Sequence, residues 1–275
     1  MIFSAIALLL ISISIYDYSK APCLVLILYF IYPYFFDVVQ IRNFMAEAIV
    51  FFGLRYLKEF TTKNIIFYVL FVLLSTMMHI TSLFYFTYLV AYIKDYKNVV
   101  KSIILLLMFY LIFFFLAPSN ITNIITGFVS NDYIEGGTTI NKIIGYGVFA
   151  VFSVIILFFL KDHNETKLID DNYKVHITEC MKKIIPTIMI TIAMIAISSQ
   201  GYRFFRNISL IVYIVYINEG IEIKNFIIRG KAINYISTIY AISFSCFFFW
   251  RQLSWNAPLF EVVTQQIINS NLLFK

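Results

Sequence analysis

Apolar runs recur from one end of this chain to the other, and they dictate its solvent. They cover residues 1–16, 22–36, 38–57, 64–78, 80–93, 101–117, 143–160, 183–199, 203–220 and 232–250. A helix needs ~20 mostly apolar residues to cross a bilayer. Only 13% of the residues are charged and 61% are hydrophobic, where a soluble domain carries roughly 25% charged residues. The expected fold class is therefore all-α: a polytopic integral membrane helical bundle of about nine to ten transmembrane segments. Residues 1–250 read as a single transmembrane bundle and 251–275 as a short outer-face C-terminal tail. The stretch 64–93 reads either as one long tilted helix or as two shorter ones meeting at "MMHITS".

The rest of the composition narrows the function by exclusion. The net charge of +6 is no argument for nucleic acid, because basic residues must first be assigned to membrane loops. Cys23, Cys180 and Cys246 lie far apart and show neither metal spacing nor a disulfide framework. No phosphate-binding glycine loop, dinucleotide fingerprint, G-x-S-x-G or zinc spacing occurs, so no cofactor and no metal is expected. The first run lacks a basic leader and a small-residue cleavage pattern, so it is not read as a cleaved signal. The 30 Phe and 20 Tyr suit lipid-facing and interfacial surface.

Lysine and arginine set the orientation. With ten spans, alternate loops collect Lys20; Arg55, Lys58 and Lys63; Lys94, Lys97 and Lys101; Lys161, Lys167, Lys174, Lys182 and Lys183; Lys224, Arg229 and Lys231, which is fifteen. The other side collects Arg42, Lys142, Arg203, Arg206, Arg251 and Lys275, which is six. The fifteen-residue side is the cytoplasm by the positive-inside rule. This alternation needs a break at His79 and puts residue 1 outside. Thirteen of the fifteen inner residues are lysine, whereas four of the six outer ones are arginine. Topology does not require that bias, and the planar guanidinium suits bidentate contact with phosphate.

The polar residues inside the apolar runs are the candidate site. Asp37 and Gln40 form a D-x-x-Q box that would start a helix at Val38. On a helix over 38–57, Gln40, Asn43 and Glu47 fall at i, i+3 and i+7, one polar stripe, with Arg42 turned away toward the outer rim. The plainer alternative is a capped helix with one satisfied carboxyl, but an ionisable group inside a membrane is by default a functional hypothesis. His79 sits at the outer mouth if the break is real, and either supports proton transfer or merely stabilises the break. "SSQGYRFFRNISL" places Arg203 and Arg206 at i and i+3 after Gly201, at a helix start that favours anions. Arg251, between Trp250 and Trp255, reads as an interface anchor. His163 and His176 lie in the charged inner loop 161–182 and read as solvated. In the outer loop 118–142, Asp132 and Tyr133, beside Asn131 and Glu135, could hydrogen-bond sugar hydroxyls.

"QIRNFMAEAIVFFGLRYL" followed by "FYVLFVLLSTMMHITSLFYFTYLV" resembles the EpsG family of Wzy-type polysaccharide polymerases, and "GYRFFRNISLIVYI" is similar to the family's second-half arginine helix. The likeness covers roughly residues 20–250. It implies a Wzy-like, GT-C-related membrane glycosyltransferase of the bacterial cytoplasmic (inner) membrane. Such an enzyme joins repeat units carried on undecaprenyl pyrophosphate into capsule, exopolysaccharide or O-antigen chains. Carried onto this chain, the matching residues are Gln40, Arg42, His79, Arg203 and Arg206. The implied partners are lipid-linked oligosaccharide, membrane lipid, and a flippase and chain-length regulator of the same pathway. Members usually carry a further N-terminal helix and outer loop before the segment that begins here at Met1, so the likeness also implies a shortened chain and puts its acceptor binding and activity in question.

On this reading Arg42, Arg203 and Arg206 clamp a departing diphosphate, and His79 or Glu47 orients or deprotonates the attacking hydroxyl. Gln40, Asn43, Asp132 and Tyr133 would bind substrate. The alternatives are a transporter or flippase for lipid-linked oligosaccharide, an O-antigen-ligase-like transferase, and a nonfunctional fragment.

Overall fold

A computed structural model of the chain describes residues 2–116, 140–161, 173–197, 201–221 and 228–255. Among them every regular element is helical. In chain order these are α1 Ile2–Tyr18, α2 Pro22–Ile31, α3 Tyr34–Val39, α4 Ile41–Gly53 and α5 Thr62–Met78, then α6 Tyr96–Leu116, α7 Ile140–Lys161, α8 Tyr173–Ile184, α9 Ile188–Ile197, α10 Tyr202–Ile221 and α11 Ile228–Trp255. Three 3₁₀ segments, Leu54–Lys58, Ile80–Tyr92 and Ile185–Thr187, join some of them.

Local chemistry explains several boundaries. Pro22 opens α2, where its missing N–H costs nothing. The Thr61 hydroxyl accepts from Asn64 N at 3.2 Å and starts α5. Pro186 turns the run 183–199 into a 3₁₀ step between α8 and α9. α11 runs past residue 250 to Trp255; the rest of the tail lies outside the described residues.

The expected break at "MMHITS" is present: α5 stops at Met78, His79 is extended, and a 3₁₀ segment starts at Ile80. His79 Nδ1 accepts from Thr81 N at 3.3 Å, satisfying a donor at the new helix start. The following winding is unusually long for this geometry. At ~2.0 Å per residue its 13 residues reach about 26 Å, where α winding would reach about 20 Å. A run short for an α-helical span thus gains length by winding tighter.

The reading of 38–57 as one helix starting with a capping box is corrected. The chain makes α3, breaks at Gln40, and restarts as α4. No side chain caps α4. Asp37 is fully buried, and its carboxylate is engaged far from its own backbone. The inner loop 161–182 is corrected in part: residues 173–184 form α8, with Ile177, Met181 and Ile184 buried, and His176 lies on it. His163 lies outside the described residues.

α10 is the axis of the packing. Residues 204–220 are buried without interruption, against α2, α7, α8, α9 and α11. α1, α4 and α5 form a second packed group, fastened where Ser75 Oγ donates to the Ala46 carbonyl at 2.8 Å. Outward faces are apolar. Leu70, Leu73 and Leu74 on α5, Leu105 and Phe109 on α6, and Phe152 and Phe159 on α7 are all exposed. Ile143–Leu160 is the one described segment both long and apolar enough to cross a bilayer by itself.

Charges separate along the axis as the lysine and arginine alternation predicts. At one end Asn218 binds Lys20 N at 2.7 Å, the Tyr18 carbonyl and the Thr178 hydroxyl. Lys174 Nζ reaches the Ser19 carbonyl, and Lys182 pairs with Glu219 at 2.8 Å. At the other end α4, α10 and the 3₁₀ segment begin, with Gln40, Arg42, His79, Arg203 and Arg206.

Candidate functional site

The arginine end is built on a buried charge pair. Arg206 and Asp37 are both fully buried, with Arg206 Nε 2.8 Å from Asp37 Oδ1. Such a pair is tolerable inside a protein only when further hydrogen bonds satisfy its remaining atoms. Tyr29 donates to Asp37 Oδ2 at 3.0 Å. Arg206 Nη2 donates to Gln40 Oε1 at 2.9 Å, and Gln40 Nε2 donates to the Tyr202 hydroxyl at 3.0 Å. The ring of Tyr202 lies 5.8 Å from the guanidinium. The break at Gln40 makes this possible, since the turn out of α3 delivers Gln40 and Asp37 toward α10 together.

Asn43 and Glu47 lie about one and two turns below Gln40 on α4. The Asn207 amide that satisfies its surroundings has its nitrogen donating to Glu47 Oε2 at 3.0 Å and to the Arg203 carbonyl at 2.9 Å, while its oxygen accepts from Tyr85. Glu47 is 2% exposed and Asn43 4%. Glu47 Oε1, Asn43 Nδ2 and Arg206 Nη1 have no hydrogen-bond partner among the described residues. Buried polar atoms are nearly always paired, so three unsatisfied ones in a single network call for a cause.

Above this layer the mouth is cationic. Arg42 is exposed, and Arg203 and His79 are half-buried. His79 lies at the joint between two helices. Burial first, then the nearby guanidinium groups of Arg203 and Arg42, hold its pKa below the usual histidine value. The ring is therefore neutral at pH 7. With Nδ1 accepting from Thr81 N, the ring proton sits on Nε2, which makes Nε2 a donor.

The expected stripe of Gln40, Asn43 and Glu47 faces the interior together. Arg42, Arg203 and His79 share one mouth. Arg206 does not line it: it is fully buried, with its guanidinium held by Asp37 and Gln40. Asp132, Tyr133 and Arg251 lie outside the residues whose side chains are described. Sequence reasoning missed Tyr29, Tyr85, Tyr202 and Asn207, and gave Asp37 only a capping role. The polar residues of "GYRFFRN" were the available signal for two of them.

Gly201 sets the position of Arg203. A Cβ there would lie 2.4 Å from both Ile195 N and Met194 C, and backbone atoms cannot step aside. Gly201→Ala is expected to destabilise the protein by about 1–3 kcal/mol, as overpacking does, and to be read as a lowered melting temperature in detergent. An unchanged melting temperature would show that α9 and α10 are not seated this closely.

Searches among curated proteins and among solved structures returned no match. The EpsG family model matches residues 1–268, nearly the whole chain, so this protein belongs to the EpsG family and is a membrane protein of polysaccharide biosynthesis.

Proposed function

We propose that the protein is a multi-pass polymerase of the bacterial cytoplasmic membrane that joins lipid-linked sugar repeat units at the arginine end of the bundle. The observation that carries this reading is the convergence of Arg42, Arg203 and His79 over a buried layer holding unsatisfied atoms of Glu47 and Asn43. Exposed apolar faces on α5, α6 and α7 support a multi-pass arrangement, because soluble monomers rarely leave such continuous patches uncovered.

A sugar hydroxyl of one unit attacks the anomeric carbon of another. The new glycosidic C–O bond forms as the bond to undecaprenyl pyrophosphate breaks, and the diphosphate leaves with the bonding electrons. Arg42 and Arg203 meet that growing charge, which fixed donors in a dry cleft stabilise strongly. His79 orients the acceptor by donating through Nε2. The hydroxyl proton passes to Glu47 Oε1, the network's carboxylate oxygen with neither a hydrogen bond nor an ion pair. Arg206 and Asp37 act as positioning residues, holding Gln40 and the start of α4. No metal is assigned a role.

Polymerisation of purified lipid-linked repeat units by the purified protein tests the reading. Elongated chains support it, and their absence with competent substrate counts against it. Interrupted helices at Gln40 and at 185–187 favour a second reading, a flippase, since transporters bind at such breaks. In a deletion strain, single repeat units gathered outside the membrane indicate a polymerase; units gathered inside indicate a flippase.

The neutral, Nε2-protonated ring has a consequence of its own. The unfolded chain binds a proton at His79 more readily than the folded one does, so stability is lost as pH falls from about 6.5 toward the lower folded value. His79→Gln should flatten that slope in melting curves taken between pH 5 and 7.5. A wild-type slope retained by the variant would assign the pH effect elsewhere.

A further inference from the structure

The opposite, lysine-rich end holds a cavity of about 560 Å³. Its size falls within the range of small-molecule sites. Five ammonium groups line it, those of Lys94, Lys97, Lys101, Lys182 and Lys183, and they come from three elements: the turn after the 3₁₀ segment, the first turns of α6, and the end of α8. The positive-inside rule asks for lysines near this face. It does not ask them to converge from separate elements on one hollow.

Two carboxylates also line the cavity, and both are engaged. Asp95 Oδ2 accepts from Asn98 Nδ2 at 3.3 Å, and Glu179 accepts from Lys182 Nζ at 2.7 Å. Lys182 is 6% exposed and held from behind by Glu219 as well, and Lys183 Nζ leans on the Ala91 carbonyl. Lys94, Lys97, Lys101 and Lys183 form no ion pair among the described residues, and Asp95, whose hydrogen bond comes from a neutral amide, offsets part of their charge. The 21-residue helix α6 begins at this wall, and its N-terminal dipole adds partial positive charge to the same space. Tyr96 and Leu157 give the cavity an apolar edge.

We infer that this cavity binds a phosphate group carrying at least two negative charges, a phosphomonoester or a diphosphate, borne either by a lipid headgroup or by a soluble molecule. Five ammonium groups against the carboxylates of Asp95, Glu179 and Glu219 leave the wall with a net charge of about +2. Phosphate oxygens can accept from several ammonium groups at once. The site lies at the far end of α10 from Arg203, some sixteen residues or about 24 Å along the helix, so it is separate from the arginine mouth and does not rest on the polymerase reading.

The test uses the full-length protein in phosphatidylcholine nanodiscs, with two probes. Inorganic pyrophosphate is titrated against sodium chloride of matched ionic strength while the melting temperature is followed. Separately, nanodiscs with and without phosphatidic acid are compared for lipid retained on the protein by native mass spectrometry. Saturable stabilisation by pyrophosphate supports the site with a soluble ligand; selective retention of phosphatidic acid supports it with a lipid headgroup. Either response should weaken at least tenfold in the Lys97→Gln/Lys101→Gln variant, whose changed residues are exposed, and stay unchanged in Lys63→Gln. No response beyond that of salt, or a response untouched by the double change, would overturn the inference and leave these lysines as topological markers.

Discussion

Replacing Arg206 by alanine is expected to cost the fold about 3–5 kcal/mol, the usual penalty for leaving one member of a buried ion pair without the other. Asp37 would then lie fully buried facing no cation, keeping only the Tyr29 hydroxyl. Gln40 would lose its bond from Nη2 and with it the anchor for the start of α4. The expected result is little folded protein in detergent, seen as an early melting transition and an aggregated elution profile. Asp37→Ala should do the same from the other side. Two single losses cannot separate a charge effect from a packing effect, so the informative variant is the double one. Arg206→Met with Asp37→Leu removes both charges at similar volume, and apolar replacement of a buried pair is often neutral or stabilising. Recovery of the melting temperature in the double variant would assign the loss to an uncompensated charge. Failure to recover would place the cost in the shape of the network around Tyr29, Gln40 and Tyr202.

Arg203→Ala is the second large effect, and it should show in activity with the fold kept. Removing one donor from a site that stabilises a developing anion typically slows the chemical step by about 10²–10³-fold. Arg203 is half-buried at the mouth, so its loss should leave melting within about 1 kcal/mol of wild type. Arg42→Ala, at an exposed position, should fall in the same class. Lysine at either position restores the charge without the planar fork, and partial recovery is expected. Full chain length from Arg203→Ala or Arg42→Ala would remove that residue from the clamp. Together the two experiments divide the arginines: Arg206 fails by unfolding, whereas Arg42 and Arg203 fail in turnover.

Local patterns that depend on neighbours in the chain were legible before the structure. The shared inward face of Asn43 and Glu47 on α4 follows from helical periodicity, with Gln40 joining them from the break, and the lysine count demanded the break that His79 provides. What was not legible depends on partners remote in sequence. Asp37 and Gln40 have the spacing of a helix cap, and nothing nearby argues against it. Arg206, on a helix more than 160 residues later, takes both side chains and ends α3 where a continuous helix was expected. The same remoteness disguised Arg206 itself: spacing of three residues put it beside Arg203, but burial depends on what α10 meets, and α10 is enclosed. α8 was missed for the opposite reason. Its mixed charges read as a solvated loop, because its lysines are answered by Glu219 and by the Ser19 carbonyl across the fold.

The stretch Ile80–Tyr92 also carries a numerical signature. At three residues per turn, side chains align in straight files, and Ser82, Tyr85, Tyr88 and Ala91 form one buried file while Ile80 and Leu83 open an outward one. Membership depends on the residue number modulo three. Inserting one residue after His79 would rotate every later side chain by about 120°, carry Tyr85 away from Asn207, and exchange the files wholesale.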